Sequence, residues 1–428
     1  MIKVKSLLVL YVSLTLLILT GSVRSTDHTD LSEERRKTEV DIADFFAFPA
    51  KNDKLVLAVT LHPYANKYSD FSGAVEYRFL LRSAKFREDK TLDIADDEVV
   101  IKCVFNSDKT LEVTRDLGGK TLEKLEDKGE GRTGIRAFSG VRSEPFISDV
   151  LQARYSIPWL PTIDLFADSA VLAIVLEIDQ DLLPEASRQE GWLLATAVES
   201  WSTNADHKHP LDRMGRAEIT QFLIGQQALS GSKEKSVAWN ELKTFAKTPD
   251  EQKEQLLEGW EKRFSNRKDA LIEFPPDDKL VDLLMQDCLL IDLNKGYLSG
   301  SSNEPTYFEI ESAVFNDREH ETVGGRTPND DVIDVVLTLL IDGIERVYNG
   351  NEGKGGLTRS DGISESKYPA IDEFPFLRDF NGNRLARLTP FRAVWPNVVL
   401  WPLIAAGIIG ILTKVLKKFF GSREKTTY

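Results

Sequence analysis

Apolar and polar residues alternate along several segments in the first half of the chain, in the period-2 pattern that is typical of half-buried β-strands. The segment 170–178 differs, because it is apolar throughout, which indicates a central strand buried in the fold. Asn, Asp and Gly residues separate these segments and favour turns. The pattern predicts a mainly β (α+β) fold of sandwich-like antiparallel sheets. The predicted strands are residues 54–61, 74–82, 98–105, 110–114, 170–178 and 191–199.

The second half of the chain has a helical pattern. Residues 238–269 are rich in Glu, Lys, Gln and Leu, with apolar residues at helical spacing, and predict two helices broken at Thr248-Pro249. A short helix is predicted over 279–289, with a strand near 288–293. The Gly-, Asn- and Ser-rich stretch 349–365 predicts an exposed loop. These segments are expected as helical insertions in the β-rich body.

The N-terminal segment has the pattern of a secretory signal peptide. Lys3 and Lys5 precede an apolar run over 7–20, which is too short to span a membrane comfortably. Small residues follow, so residues 1–25 are predicted to be a signal peptide cleaved after Ser25. An uncleaved anchor is the alternative.

The C-terminal segment has the pattern of a membrane helix. Residues 393–413 are mainly apolar and about as long as a spanning helix requires. The tail 414–428 is basic, which by the positive-inside rule places it in the cytoplasm. The body, residues 26–390, is then expected in the periplasm or outside the cell as part of a single-pass membrane protein. A buried core helix is the alternative for 393–413.

Composition limits the partners of this chain. It has 428 residues and a formal net charge of −14, which argues against nucleic acid as a partner and against a body lying on anionic lipid. The membrane, through the C-terminal helix, and other envelope proteins are the expected partners. The chain contains no Asn-x-Ser/Thr acceptor sequence, which favours a bacterial source.

The chain has two cysteines, Cys103 and Cys288. An oxidising compartment would allow them to pair, but their spacing does not show that they meet. No Cys-x-x-Cys occurs, which argues against a zinc ribbon or a thioredoxin-like site.

Seven segments of the body carry further motifs: residues 41–48, 62–65, 71–79, 138–146, 213–218, 324–334 and 373–376. In the same order along the chain, these segments resemble those of the bacterial DUF4331 family. Two departures are Glu144, where that family usually has Asp, and Ala217, where it usually has Pro. A C-terminal membrane helix is not a usual part of the family pattern. The resemblance implies an exported, β-rich domain and implies no reaction.

The segment 324–334 carries the densest candidate chemistry. Gly324 and Gly325 allow a tight or left-handed backbone. Thr327 and Pro328 suit the N-cap and first position of a helix, which places Asp330 in its first turn. On this interpretation the acidic residues simply lie at the positive end of a helix dipole. The apolar stripe of that helix would be Val332, Val335, Val336, Leu339 and Leu340.

The alternative interpretation of the same segment is a cation site. Asp330 and Asp334 would lie on one helix face at i,i+4 spacing, with Asp331 beside them. Buried carboxylates require hydrogen bonds or a positive charge. Arg326 would supply that charge, or else Ca²⁺ or another divalent cation bound by the carboxylate oxygens.

Two smaller groups are weaker candidates. Asp41 and Asp44 form a second acidic pair, which either binds a cation or lies in an exposed turn. His207 and His209 have the spacing of a strand-borne metal pair, although their surroundings favour an exposed loop.

Known catalytic motifs are absent from the sequence: it has no Gly-x-Ser-x-Gly, no His-Glu-x-x-His and no phosphate-binding loop. The leading hypothesis is therefore a non-enzymatic binding or structural module of the cell envelope. The alternative is a metal-dependent envelope enzyme that uses Asp330, Asp331 and Asp334.

Overall fold

The computed structural model describes most of the body of the chain. The predicted signal peptide, membrane helix and basic tail lie outside the described residues. No helix within the described part is long and apolar enough to cross a membrane. The described residues are 39–50, 54–62, 65–125, 134–155, 162–164, 166–223, 238–245, 248–265, 269–296, 306–349 and 356–380.

Antiparallel strands make up most of the regular structure. In chain order they are β1 (Ile42–Ala50), β2 (Lys54–Leu61), β3 (Val75–Phe86), β4 (Leu92–Ile94), β5 (Val99–Phe105), β6 (Leu111–Leu117), β7 (Lys120–Leu125), β8 (Ile135–Ser143), β9 (Ala170–Asp179), β10 (Leu193–Ser202), β11 (Asp212–Met214) and β12 (Leu289–Ile291). All six strands predicted from the pattern of apolar and polar residues are present, within a few residues of the predicted bounds.

The strands form two sheets. The smaller sheet has the order β1-β2-β9-β8. The larger sheet has the order β11-β10-β3-β5-β6-β7, with β12 beside β10 and β4 beside β3. Every pairing between these strands is antiparallel. The prediction of a mainly β fold with antiparallel sheets is confirmed.

Strands β1, β2 and β9 of the smaller sheet are buried on both faces, which explains their apolar sequences. In β9, Ile174 and Leu176 lie in the main core, while Ala173 and Val175 belong to a second apolar cluster on the opposite face. Phe376, from the C-terminal part of the body, covers that second face. A strand with two buried faces must be apolar at every position, as the run 170–178 is.

The larger sheet has one buried and one more exposed face. Along β5, Ile101 and Cys103 are buried in the main core, while Lys102 is only partly buried and pairs with Asp116 of β6. This arrangement preserves the alternation that predicted the strand. Cys103 and Cys288 are both buried and both free.

Helices occupy the second half of the body, as predicted, but their lengths differ from the prediction. The helix predicted before Pro249 is reduced, in the described part, to residues 238–240. The next helix begins after Pro249 as expected, and residues 261–265 extend it as a π-helical turn. The helices are α1 (Val150–Tyr155), α2 (Ile219–Leu223), α3 (Asp250–Trp260), α4 (Asp278–Gln286), α5 (Glu309–Phe315) and α6 (Val332–Asp342).

Helix α6 lies inside the molecule. All of its residues are buried, including Asp334, Thr338 and Asp342. Its apolar residues belong to the same main core as residues of both sheets. The segment that precedes α6, where the sequence concentrates its candidate chemistry, is therefore held between the two sheets and this central helix.

Candidate functional site

The segment 324–326 links the two sheets through its backbone. Arg326 N donates to the Ala47 carbonyl of β1 at 2.9 Å, and Ala47 N donates to the Arg326 carbonyl at 3.0 Å. Gly325 N donates to the Leu290 carbonyl of β12 at 2.6 Å. One short segment therefore hydrogen-bonds to a strand of each sheet.

The two glycines are required by this close approach. Gly324 and Gly325 have φ values of 70° and 74°, in the left-handed region that favours glycine. A Cβ on Gly325 would lie 2.2 Å from the Ala47 carbonyl oxygen, and one on Gly324 would lie 2.5 Å from the Leu290 carbonyl oxygen. The prediction of a tight, left-handed backbone here is confirmed.

The Arg326 side chain is buried and contacts residues of β1. It forms an ion pair with Asp44, donates to the Phe45 carbonyl at 3.1 Å and lies over the Phe46 ring at 4.4 Å. Asp44 is 0% exposed and Asp41 is also buried, so the interpretation of this pair as an exposed turn is wrong. Strand β1 holds Asp44 inside the molecule, where a guanidinium compensates its charge.

The helix after this segment starts later than predicted. Helix α6 begins at Val332, and its N-cap is Asp331, whose carboxylate accepts from Asp334 N at 3.1 Å. Thr327 is therefore not the N-cap, and Asp330 does not share a helix face with Asp334. The reason is local: the Asp330 carboxylate accepts from Thr327 N at 2.6 Å and holds this stretch in a turn.

Asp330 is held mainly by two threonines. Its carboxylate accepts from Thr306 N at 3.0 Å, from Thr306 Oγ1 at 2.6 Å and from Thr327 Oγ1 at 3.2 Å, in addition to Thr327 N. Burial raises the pKa of Asp330, although these bonds and the charge of Arg326 oppose that rise. The side chain connects two loops that are far apart in sequence.

Asp334 contacts a third acid that the sequence did not single out, Asp361, whose charge also acts on Asp331. Asp361 N donates to the Asp334 carboxylate at 2.8 Å. The Asp361 carboxylate in turn accepts from Asp149 N at 2.8 Å and from Ser148 Oγ at 3.1 Å. We call Asp331, Asp334 and Asp361 the acidic cluster. It joins the start of α6 to two separate loops.

The loop around Asp361 was predicted to be exposed, because it is rich in Gly, Asn and Ser. Asp361 is 2% exposed, so the prediction is wrong at this residue. Asp149 extends the same network, since its carboxylate accepts from Gln152 N at 3.0 Å and from Ile163 N at 2.8 Å. Nothing in the local sequence distinguishes Asp361 from an ordinary turn residue, because the Asp-Gly pair that contains it is a common turn signal.

Burial shifts the acidic cluster towards its protonated state. Burial, aided by the charges of Asp334 and Asp361, raises the pKa of Asp331 well above its usual value. Burial also raises the pKa of Asp334, and it raises that of Asp361 to about 7. Nearby, burial raises the pKa of Asp164 to about 6. Burial therefore favours the protonated form of each of these carboxyl groups.

The geometry gives limited support to a metal site. Within the ranges that the structure describes, no group of three or more His, Cys, Asp and Glu residues is arranged to hold a metal ion. The candidate acids contact different partners: Asp44 contacts Arg326, Asp330 contacts two threonines, and Asp331 and Asp334 belong to the acidic cluster. The structure thus separates Asp330 from Asp334, which the cation-site interpretation placed on one helix face, and keeps Asp331 beside Asp334.

His207 and His209 lie in an exposed turn after β10, as their surroundings indicated. The backbone there is organised by Asn204, whose side chain accepts from Asp206 N at 3.1 Å. With Asp206 and Glu241 they line a small surface cavity of about 280 Å³.

Comparison of the chain with models of protein families, with curated proteins and with solved structures found no match.

Proposed function

We propose that the chain is a membrane-anchored, extracytoplasmic binding or structural module of the cell envelope. Its body would be a sandwich-like pair of antiparallel sheets with helical insertions, exported by the signal peptide 1–25 and tethered by a helix over 393–413. The likeness of its motifs to the DUF4331 family is part of this proposal, because that family's pattern implies an exported β-rich domain.

One observation carries the non-enzymatic part of the proposal: the candidate acids make bonds inside the fold. Asp330 accepts from the backbone and hydroxyl groups of Thr306 and Thr327. Asp44 is neutralised by Arg326. Carboxylates whose oxygens already accept internal hydrogen bonds are poor candidates for binding and activating a substrate.

The topology is tested by a reporter fused after Tyr428 in a bacterial host. A fluorescent protein that matures only in the cytoplasm should be active there, whereas a periplasm-dependent phosphatase should be inactive. The reverse pattern would refute the proposed orientation.

A metal-dependent enzyme is the second candidate, and the convergence of Asp331 and Asp334 with Asp361 favours it. A cation bound by these carboxylates would raise the melting temperature through linkage. We expect the melting temperature to stay the same, within about 1 °C, after addition of Ca²⁺ or of a chelator, because a binding module needs no cation there. A concentration-dependent rise with Ca²⁺ that the D334N variant abolishes would favour the enzyme.

A further inference from the structure

The hairpin loop between strands β10 and β11, residues 203–211, borders a surface cavity of about 280 Å³. We call it the histidine cavity. Two imidazoles and two carboxylates line it, and both types of side chain are ligands of divalent metal ions. The polar residues that line it are Asp206, His207, Lys208, His209 and Glu241.

Backbone hydrogen bonds fix the loop on both sides of the histidines. Before them, His207 N donates to the Asn204 carbonyl at 3.1 Å and closes a turn. After them, Leu211 N donates to the Ser200 carbonyl of β10 at 2.7 Å. The short segment 207–210 is therefore held at each end before any ligand binds.

Pro210 favours an orientation in which both imidazoles lie on one side of the chain. Pro210 is buried, and a proline restricts the residue before it, here His209, to an extended backbone. In an extended backbone, side chains two positions apart point to the same side. This agrees with the presence of both His207 and His209 in the lining of one cavity.

The two imidazoles are accessible and have no partner in the fold. Residues 203–209 are all exposed. Within the described part of the chain, these imidazoles, the Asp206 carboxylate and the Lys208 ammonium form no hydrogen bond or ion pair. The imidazole of His320, in contrast, contacts Asp292 at 2.9 Å. Both histidines of the cavity therefore keep their ring nitrogens available for a ligand.

The chemistry of this pair selects the class of ion. Imidazole nitrogen is a preferred ligand of Zn²⁺, Cu²⁺ and Ni²⁺, whereas Ca²⁺ and Mg²⁺ prefer oxygen. No third His, Cys, Asp or Glu within the described ranges is arranged to complete a metal site with the pair. Water would therefore fill the remaining positions, as it does at the open position of zinc sites. The carboxylates of Asp206 and Glu241 add negative charge to the cavity, which offsets the charge of Lys208.

We propose that His207 and His209 chelate a divalent transition metal ion in the histidine cavity. Once one imidazole has bound the ion, the second is held close to it, so the pair binds more tightly than either imidazole alone. The bound ion would also hold the loop between β10 and β11 in one conformation. This inference goes beyond the proposed function and does not depend on it.

The test is calorimetric titration of Zn²⁺ into the full-length chain, purified in detergent without a polyhistidine tag. We expect saturable binding that an excess of Ca²⁺ or Mg²⁺ does not displace. His207→Ala and His209→Ala should each weaken binding by roughly tenfold or more, because each leaves one imidazole. The matched control is Lys208→Gln, between the two histidines, which removes a charge but no ligand and should not weaken binding.

Chemical footprinting of the unmodified chain locates the ion without any substitution. Zn²⁺ should protect His207 and His209 from modification by diethyl pyrocarbonate, measured by mass spectrometry. Absence of saturable binding, protection confined to other histidines, or equal affinity in the double variant His207→Ala/His209→Ala would each overturn the proposal. The titration does not depend on membrane orientation, so a wrong topology would refute the anchor and leave this result intact.

Discussion

At the scale of residues, buried charges hold distant segments of this molecule together. Arg326 pairs with Asp44, and Arg216 pairs with Glu311 at 2.9 Å, in sites that exclude most solvent. Such pairs add little net stability compared with apolar replacements, but removal of one partner leaves an uncompensated buried charge. Their effect on folding is therefore best measured by breaking them one partner at a time.

The Arg326→Met substitution should destabilise the protein strongly, because it leaves Asp44 charged and buried. We expect the free energy of unfolding to fall by about 3–5 kcal/mol, measured by urea denaturation. The matched control is Arg87→Met, which breaks an exposed pair with Asp93 and should cost less than about 1 kcal/mol. The double variant Asp44→Asn/Arg326→Met should recover part of the loss. If Arg326→Met and Arg87→Met lowered the free energy of unfolding by the same amount, this expectation would be contradicted.

Asp361 should make stability depend on pH. Burial raises its pKa to about 7 in the folded state, above its ordinary value of 3.8. Between a pH of about 4 and about 7, the folded state therefore keeps a proton that the unfolded state has lost. Because of this difference, the free energy of unfolding falls as the pH rises through that range. Stability from this group is fully present below pH of about 4 and is lost as the pH rises through about 7.

The Asp361→Asn variant tests this dependence, because an amide does not titrate. Its free energy of unfolding relative to the original protein should rise by a few kcal/mol between pH 4 and pH 8, measured by denaturant titration at each pH. Asp206→Asn, at an exposed position, should run parallel to the original protein. A difference that does not change with pH would show that folding leaves the pKa of Asp361 unchanged.

The sequence indicated which charged residues are candidates for a site, but it did not indicate which residues they contact. Arg326 was one of two candidates to compensate the acids that follow it. Its charge does act on Asp330, but its ion pair is with Asp44, which lies 282 positions away. Asp361 was missed because a polar turn and a buried hydrogen-bonding loop have the same composition. Such pairings are set by how the sheets and loops meet, which periodicity does not report.

At the scale of elements, periodicity predicted strands well and helix ends less well. The strands were recognisable because side chains alternate between faces, and the apolar β9 because both of its faces are buried. The start of α6 was misplaced because Thr327 and Asp331 are both acceptable caps. The Asp330 side chain decides between them, since it holds Thr327 in the preceding turn.

Gly325 should be one of the least replaceable positions between the sheets. Gly325→Ala places a Cβ 2.2 Å from the Ala47 carbonyl oxygen, so the link between β1 and β12 must open. We expect a loss of about 3 kcal/mol or more in the free energy of unfolding.

Gly191→Ala is the matched control for that substitution. Gly191 has a φ of 78°, close to the 74° of Gly325, but a Cβ there would contact nothing within 4 Å. Backbone strain alone should cost about 1–2 kcal/mol. If both variants unfold at the same urea concentration, the close approach to Ala47 is not what requires glycine at position 325.

At the scale of the whole molecule, the chain has an antiparallel β body between two apolar ends, and both ends lie outside the described residues. Because of the net charge of −14, we do not expect nucleic acid as a partner. The candidate acids inside the body hold separate segments together through hydrogen bonds. A body of this kind would meet its partners at the membrane surface.

Protease protection tests the central claim most directly. Bacterial cells that express the chain with an epitope tag after Tyr428 are converted to spheroplasts and treated with protease from outside. The account predicts that the body, residues 26–390, is digested, while a small tagged fragment that contains 393–413 and 414–428 survives in the membrane. A protected body with a digested tag, or a full-length chain in the soluble cytoplasmic fraction, would contradict it.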